Sequence, residues 1–439
     1  MGQPLLPDEG YTWLVGSAPN TSEFLRRLAI YENTPPLYYL LLTPLPLGSE
    51  WWIRVPSLIA GIALVPILYA VVRPALGRGV SLLAALGLAI SPYAVAESNF
   101  GRAFMLADLW LLACFWAAIR LGEGRSEQWW WVYGLSAVAA IYSEYNAALT
   151  LIPLLIGLVL LRPGRRWRTL GLGMLPALAL LPWIPQLVRS VNDLDVTKTG
   201  VGYLTVTPGS VRDQLVSLYY GSTGESLGAG ARALAVLVLI AVMAAGARVI
   251  ASRAHNARPL LVLLGWAAIG TLVLTALAPA FGIGIFNVGY LTILIPLGVI
   301  PLAAALAAIP IRAVIPISSA ALVFAGAALA VKRSHEAADI DVSAIASVVR
   351  AEHVRTVLTN SAVVAYYFRD DNAILDRPFG LGPGRAGDCG NCTRPIAVID
   401  DENVGTGART GPGLTVPVGH YVVRVLAASR QALTRADTK

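Results

Sequence analysis

Ten apolar runs, most of them long enough to cross a bilayer and joined by short links, constrain this chain more than any other feature. They are Val55–Val72, Val80–Ala96, Ala103–Ile119, Trp129–Tyr142, Ala147–Leu161, Leu170–Val188, Ala233–Ile250, Leu260–Ala280, Tyr290–Ile309 and Ala313–Val331. A membrane helix needs roughly 20 apolar residues, with a range of about 17–25. About ten spans are therefore expected, the two central ones short. Composition agrees: only 13% of the 439 residues are charged and 56% are hydrophobic. So few charges cannot coat water-soluble domains of this size, whereas a lipid-facing surface needs none.

Arginines set the orientation, because links rich in Lys and Arg stay on the cytoplasmic side. Alternate links hold Arg73 and Arg78, Arg120 and Arg125, Arg162 to Arg168, Arg248 to Arg258, and Arg312. The turns Ser143–Asn146 and Pro279–Gly289 carry no Lys or Arg. One assignment satisfies all the short links. It puts everything before Arg54 outside, with Glu97–Arg102, Glu144, Arg189–Arg232 and the tail after Lys332. The net charge of +7 is then a topological signal, and no nucleic-acid partner is expected. The localisation expected is the cell membrane, multi-pass, with the active face extracytoplasmic.

Three regions follow: an outer loop with interfacial helices over 1–53, a helical membrane domain over 54–331, and an outer domain over 332–439. Pro35–Leu47 is apolar but too short to span and is interrupted by prolines, so it is expected to lie along the outer surface. Tyr38, Tyr39, Trp51 and Trp52 would sit at headgroup depth. In the tail, Asp341–Arg350 has helical spacing. Arg355–Leu358, Ala362–Phe368, Pro395–Ile399 and His420–Leu426 have strand character between Gly/Pro/Asp-rich turns. The fold class expected is an all-α polytopic membrane protein with a small extracytoplasmic α/β domain at its C-terminus.

Ionisable groups in or beside membrane spans are costly and are functional candidates by default. On the outer side these are Asp8, Glu9, Glu32, Glu97, Arg102, Asp108 and Glu144. Each also has a plain structural reading: a solvated turn for Asp8 and Glu9, a mutual pair for Glu97 and Arg102, a loop cap for Glu144. Together they deliver several carboxylates and an arginine to one face. A partly desolvated carboxylate can act as a general base toward a hydroxyl. An arginine beside it can hold a phosphate through two parallel hydrogen bonds. No H-E-x-x-H, P-loop or G-x-S-x-G is present, so zinc-protease, ATP-driven and serine-hydrolase readings lack support. Cys114 lies in an apolar run as a small buried side chain. Cys389 and Cys392 form a lone C-x-x-C in a Gly-rich stretch of the outer tail, where a local disulfide is favoured over zinc or a redox motif.

The order of features from Pro7 to about Asp108 resembles the GT-C membrane glycosyltransferases. The closer resemblance is to the polyprenyl-phosphate-mannose-dependent mannosyltransferase-like family, related to protein O-mannosyltransferases and lipid A aminoarabinose transferases. That family opens with a helix and an acidic pair, matched here by Asp8–Glu9 followed by Tyr11. A segment H-P-P-L-Y-Y-L-L is matched by Asn33-Thr34-Pro35-Pro36-Leu37-Tyr38-Tyr39-Leu40-Leu41. R-x-P-S-x-x-x-G is matched by Arg54, Pro56, Ser57 and Gly61, a span ending S-P by Ser91–Pro92, and an outer arginine by Arg102. The resemblance implies that Asp8 is the catalytic base, supported by Glu9, and that Arg102 faces the donor phosphate. Tyr11, Asn33, Tyr38, Glu97, Asp108 and Glu144 would line the substrate site. It also implies that a helix precedes the acidic pair.

The partners implied are membrane lipid, a polyprenyl-phosphate-linked sugar donor and a glycan, lipid or protein acceptor. No cofactor is expected and no divalent metal is required, because an arginine can neutralise a monophosphate leaving group. The chain departs from the family at three points. Asn33 and Thr34 replace the His before Pro-Pro. Asn99-Phe100-Gly101-Arg102-Ala103-Phe104 stands for Q-E-A-R-M-Y, so its carboxylate is gone unless Glu97 substitutes. Asn287-Val288-Gly289-Tyr290 lacks the R-Y arginine. A lipid or sugar transporter and a non-catalytic membrane scaffold or assembly factor are the rival readings.

Overall fold

The computed structural model describes residues 5–32, 34–193, 206–252, 257–281 and 288–309 and, nearer the C-terminus, 356–359, 366–367, 373–375, 396–401, 413–418 and 421–426. The chain divides into two compact units. One comprises Met1–Glu32, Leu42–Ile53 and Arg333–Lys439; the other comprises Asn33–Leu41 and Arg54–Lys332.

The second unit is a bundle of apolar helices. It contains α4 (Glu50–Ala89) from Arg54 onward, α5 (Pro92–Ser98), α6 (Phe104–Gly122), α7 (Trp129–Ser143), α8 (Ala148–Leu161) and α9 (Arg166–Leu178). It continues with α10 (Ile184–Asp193), α11 (Pro208–Glu225), α12 (Ala229–Ser252), α13 (Arg258–Leu277) and α14 (Leu294–Ala307). A helix of 40 residues would extend about 60 Å, twice the hydrocarbon thickness of a bilayer. In α4 that length is interrupted at Gly77, whose φ of 79° and ψ of 174° are not helical. The break falls between Arg73 and Arg78, where the sequence places a link between two spans.

Among the described residues, four helices are long and apolar enough to cross a membrane: Glu50–Ala89, Phe104–Gly122, Ala229–Ser252 and Arg258–Ala280. A fifth crossing counts if Tyr145–Leu161 and Pro163–Leu178, bent by 106°, form one span. The other expected runs are shorter or broken, for stated reasons. Val80–Ala96 stops at Ala89 because Pro92 cannot donate to the helix before it and restricts Ser91 to extended backbone. Leu170–Val188 is divided by Pro182 and Pro185 into α9, a short turn at Leu181–Trp183 and α10. Ala313–Val331 lies outside the described residues. The loop expected over Arg189–Arg232 contains an unforeseen helix, α11, broken at Gly221.

α6 lies at the centre of this unit. Leu111, Leu112, Cys114, Phe115, Ala117, Ala118 and Leu121 are all buried, so it is covered on nearly every side. It packs against α7 and α8, and α8 packs against α13. There the Thr271 and Thr150 hydroxyls share a hydrogen bond of 2.9 Å. α12 and α14 approach so closely that a Cβ on Gly246 would overlap the Pro301 backbone. At mid-helix, Ile59, Ile62, Leu135, Leu237 and Ile269 are each 60% exposed or more. Large apolar side chains exposed over this many helices mark a lipid-facing surface. The protein is a multi-pass membrane protein.

The first unit holds α1 (Pro7–Gly16), α2 (Thr21–Tyr31) and a mixed sheet. The strands are β1 (Thr356–Thr359), β2 (Ala373–Leu375), β3 (Ile396–Asp401), β4 (Gly413–Val418) and β5 (Tyr421–Leu426), in the order β2-β1-β3-β5-β4. β1 is parallel to both β2 and β3, Val357 facing Ala373 and Ala397. β5 runs antiparallel to β3 and β4. β2 and β4 were not expected, and Ala362–Phe368 is not a strand where it is described: Tyr366 and Tyr367 are helical. Their aromatic and hydroxyl contacts explain their apolar character. Tyr366 meets Trp13 edge to face at 5.3 Å, and the Tyr367 hydroxyl accepts from the Leu5 N–H at 3.0 Å. Asp341–Arg350 and Cys389–Cys392 lie outside the described residues.

Candidate active site

In the first unit, α1 is built to present an acid. Leu6 is its N-cap and Pro7 its first residue, a position where the missing N–H costs nothing. The Glu9 carboxylate turns back and accepts the Leu6 N–H at 2.9 Å. Glu9 is fully buried while Asp8, its neighbour, is exposed. The acidic pair therefore has two unlike members, one held at the helix start and one open to solvent. Tyr11, a turn of helix from Asp8, is half-buried.

In the second unit, three of the sequence motifs meet in one hydrogen-bonded chain. Ser57 is fully buried on α4. Its hydroxyl donates to the Arg102 carbonyl at 2.7 Å. Its single proton being so used, Ser57 Oγ accepts from the Tyr38 hydroxyl, 2.8 Å away. Arg102 Nη1 in turn donates to the Tyr39 hydroxyl at 3.5 Å, and Tyr39 shares a 2.6 Å hydrogen bond with Thr34. Tyr38 and Tyr39, expected at headgroup depth, are both buried within the protein, their hydroxyls holding Ser57, Thr34 and Arg102. The helical part of Pro35–Leu47 is only α3 (Leu37–Leu42), and turns follow it.

Arg102 stands in a tight bend between α5 and α6, its N–H bonded to the Phe100 carbonyl at 2.8 Å. Ser91 is the N-cap of α5, and its hydroxyl accepts the Ala94 N–H. It comes so close to α4 that a Cβ on Gly61 would overlap Ser98. Glu97, near the end of α5, is buried, as is Asp108 one turn into α6. Asp108 lies within electrostatic reach of Glu97 and is hydrogen-bonded to the Thr292 hydroxyl. Its Oδ2 has no hydrogen-bond partner among the described residues. Glu144 is buried at the C-cap of α7 and accepts from Asn146 Nδ2 at 3.3 Å. Asn33 lies outside the described residues.

The structure thus brings Tyr38 and Arg102 together and leaves Glu97 within electrostatic reach of Asp108. Ser57, Tyr39 and Thr34 connect the first pair, and the sequence, though it carries them in the matched motifs, placed none of them in the substrate site. Ser57 could have been singled out, since a serine in R-x-P-S is a polar group on an otherwise apolar span. Thr292 carried no signal. Among the described residues, no group of three or more His, Cys, Asp or Glu side chains could hold a metal ion.

Residues 34–188 match the family model of dolichyl-phosphate-mannose-protein mannosyltransferases. The matched segment contains Tyr38, Ser57, Arg102, Asp108 and Glu144 and begins after Asp8 and Glu9. No curated protein sequence gives a significant match. Among solved structures, ArnT from Cupriavidus metallidurans bound to undecaprenyl phosphate is similar at a TM-score of 0.63 and 16% identity, covering 97% of this chain and 95% of that one. The apo state of the same protein gives 0.62 and 15%, covering 96% and 94%. The chain is a polytopic membrane protein that resembles the dolichyl-phosphate-mannose-protein mannosyltransferases in sequence over residues 34–188 and shares the fold of ArnT over nearly its whole length.

Proposed function

We propose that this protein is a membrane glycosyltransferase that moves one sugar from a polyprenyl-phosphate carrier to an acceptor hydroxyl on the extracytoplasmic side, with inversion. The observation that carries the reading is the Tyr38–Ser57–Arg102 chain. It uses buried hydroxyls from α3 and α4 to fix the backbone of a half-exposed arginine. A guanidinium held in this way suits a phosphate whose charge grows as its bond to sugar breaks. That the similar ArnT structure holds undecaprenyl phosphate supports a donor of this class.

In this scheme the exposed Asp8 carboxylate takes the proton of the acceptor hydroxyl. The oxygen attacks the anomeric carbon, and the carbon–oxygen bond to phosphate breaks. The electron pair stays on the polyprenyl phosphate, whose charge Arg102 meets. Attack opposite the leaving group inverts the anomeric centre. Glu9 supports Asp8 by holding the start of α1.

The test is transfer of labelled sugar from defined polyprenyl-phosphate donors by the purified full chain, compared with Asp8→Asn and Arg102→Gln. Loss of a general base removes about 10²–10⁴ in rate, so Asp8→Asn should fall by that order. Equal turnover by wild type and Asp8→Asn would sink the base assignment. Turnover unaffected by Arg102→Gln would remove the phosphate role.

A further inference from the structure

At one end of the second unit a second basic site is built from residues that the transfer reaction does not use. Glu127, in the link between α6 and α7, is shared by three arginines of the α8–α9 corner. Its Oε1 accepts from Arg162 at 2.6 Å and from Arg165 at 2.7 Å, and Arg168 stands 3.5 Å from Oε2. The Trp130 indole N–H takes Oε2 as well, at 2.9 Å. One carboxylate offers about four lone-pair positions, whereas three guanidiniums bring fifteen N–H donors. Donors and positive charge are therefore in excess. Arg120 and Arg125 share Glu123 close by in sequence, and Arg166 adds a further charge.

A cavity of about 290 Å³ opens here, lined by Glu127, Arg162, Arg165 and three glycines, Gly122, Gly124 and Gly164. A Cβ on Gly124 or Gly164 would meet nothing within 4 Å, so the space is open. Its surroundings have the composition of a bilayer interface. Trp131 and Trp167 are 75% and 73% exposed. Arg162 lies over Trp130 and Arg166 over Trp167, at 5.9 and 5.4 Å. Leu160 and Leu170 are exposed on the helices that flank the corner. Arginine beside indole, next to lipid-facing leucine, combines a phosphate binder with an interfacial anchor.

We propose that this corner binds the phosphate of an anionic phospholipid headgroup, Arg162, Arg165 and Arg168 taking the phosphate while the acyl chains lie along the apolar faces of α8 and α9. The proposal stands apart from the transferase reading, because none of these residues belongs to the Tyr38–Ser57–Arg102 cluster.

The experiment uses the purified full chain in detergent, titrated with phosphatidylglycerol, phosphatidylcholine or inorganic phosphate, read by native mass spectrometry and by Tm. Wild type should retain phosphatidylglycerol and gain Tm with it, and do neither with phosphatidylcholine. Arg165→Gln/Arg168→Gln should lower that affinity by roughly tenfold or more, two interfacial charges being removed. Both side chains are 58% exposed, so the variant should fold. Arg165→Lys/Arg168→Lys keeps the charge, loses the planar fork and should fall between the two. Arg73→Gln/Arg78→Gln removes the same charge from exposed positions outside the cavity and should bind as wild type does. An equal loss in that control would overturn the site in favour of diffuse attraction. An equal Tm gain with inorganic phosphate would overturn the lipid assignment, and no preference over phosphatidylcholine would overturn the proposal outright.

Discussion

Asp8 and Glu9 are adjacent and chemically alike, yet α1 gives them opposite surroundings, and their variants should separate. Glu9→Gln weakens a cap at a buried position, and a lost cap costs about 0.5–2 kcal/mol. It should lower Tm while leaving the pH profile of residual transfer unchanged. Asp8→Asn should leave Tm within experimental error and remove transfer. A second pair of outcomes concerns Ser57. Ser57→Ala removes two hydrogen bonds, from the Tyr38 hydroxyl and to the Arg102 carbonyl, and each lost bond costs about 0.5–1.5 kcal/mol. Because Arg102 would lose its backbone anchor, the KM for the donor should rise as well, which a purely structural serine would not cause. Kinetics with Ser57→Thr, which keeps the hydroxyl, should recover most of that KM. The sequence made the acidic pair and Arg102 visible, since charge beside apolar spans is conspicuous. It could not show that Glu9 is buried and Asp8 exposed, because that difference arises from the turn of a helix only ten residues long.

Elements were legible where they are long and uniformly apolar, as α6, α12 and α13 are, and illegible where a single residue decides the path. Gly77 divides α4, and its φ of 79° with ψ of 174° is a region essentially reserved for glycine. Nothing crowds the position, so Gly77→Ala should cost about 1–3 kcal/mol through backbone strain alone, seen as a lower Tm without loss of helical circular dichroism. Gly61→Ala differs. Its Cβ would press on Ser98, whose hydroxyl is bonded to the Ala94 carbonyl, and so would push α5 and Glu97 away from α4. Overpacking of this kind costs about 1–3 kcal/mol, and transfer should fall with it. The Glu127 link predicts a pH dependence. The hydrogen bond from Arg162 holds the Glu127 carboxyl below its ordinary value of 4.5, and the charges of Arg162 and Arg168 add to it. A group whose folded pKa is depressed stabilises above its unfolded pKa and ceases to do so as pH falls through the folded one. The Tm difference between wild type and Glu127→Gln should therefore be constant above about pH 5 and shrink toward zero in stronger acid. Solvent screening at a side chain 37% exposed keeps the effect to about 1 kcal/mol or less.

For the molecule as a whole, the alternation of arginine-rich and arginine-free links makes orientation a single variable. Turning one link over would require turning every other, or changing the number of crossings between them. The apolar helices and exposed mid-helix leucines and isoleucines establish that the bundle sits in lipid, but both orientations bury the same surface. What distinguishes them is the preference of Lys and Arg for the cytoplasmic side, from which Arg165 is predicted inside and the segment before Arg54 outside. Cysteine labelling resolves this. In a chain with Cys114, Cys389 and Cys392 replaced by alanine, Thr21→Cys and Arg165→Cys place single thiols at exposed positions. A membrane-impermeant maleimide should reach the first in intact cells and the second only after permeabilisation. The reverse pattern would put Asp8 in the cytoplasm and with it the proposed transfer, so that the acceptor would have to be sought there. Labelling of both thiols from one side would mean an even number of crossings between residues 21 and 165. The assignment of Glu50–Ala89 as two spans joined at Gly77, or of Tyr145–Leu161 as a crossing that ends before Arg165, would then have to give way.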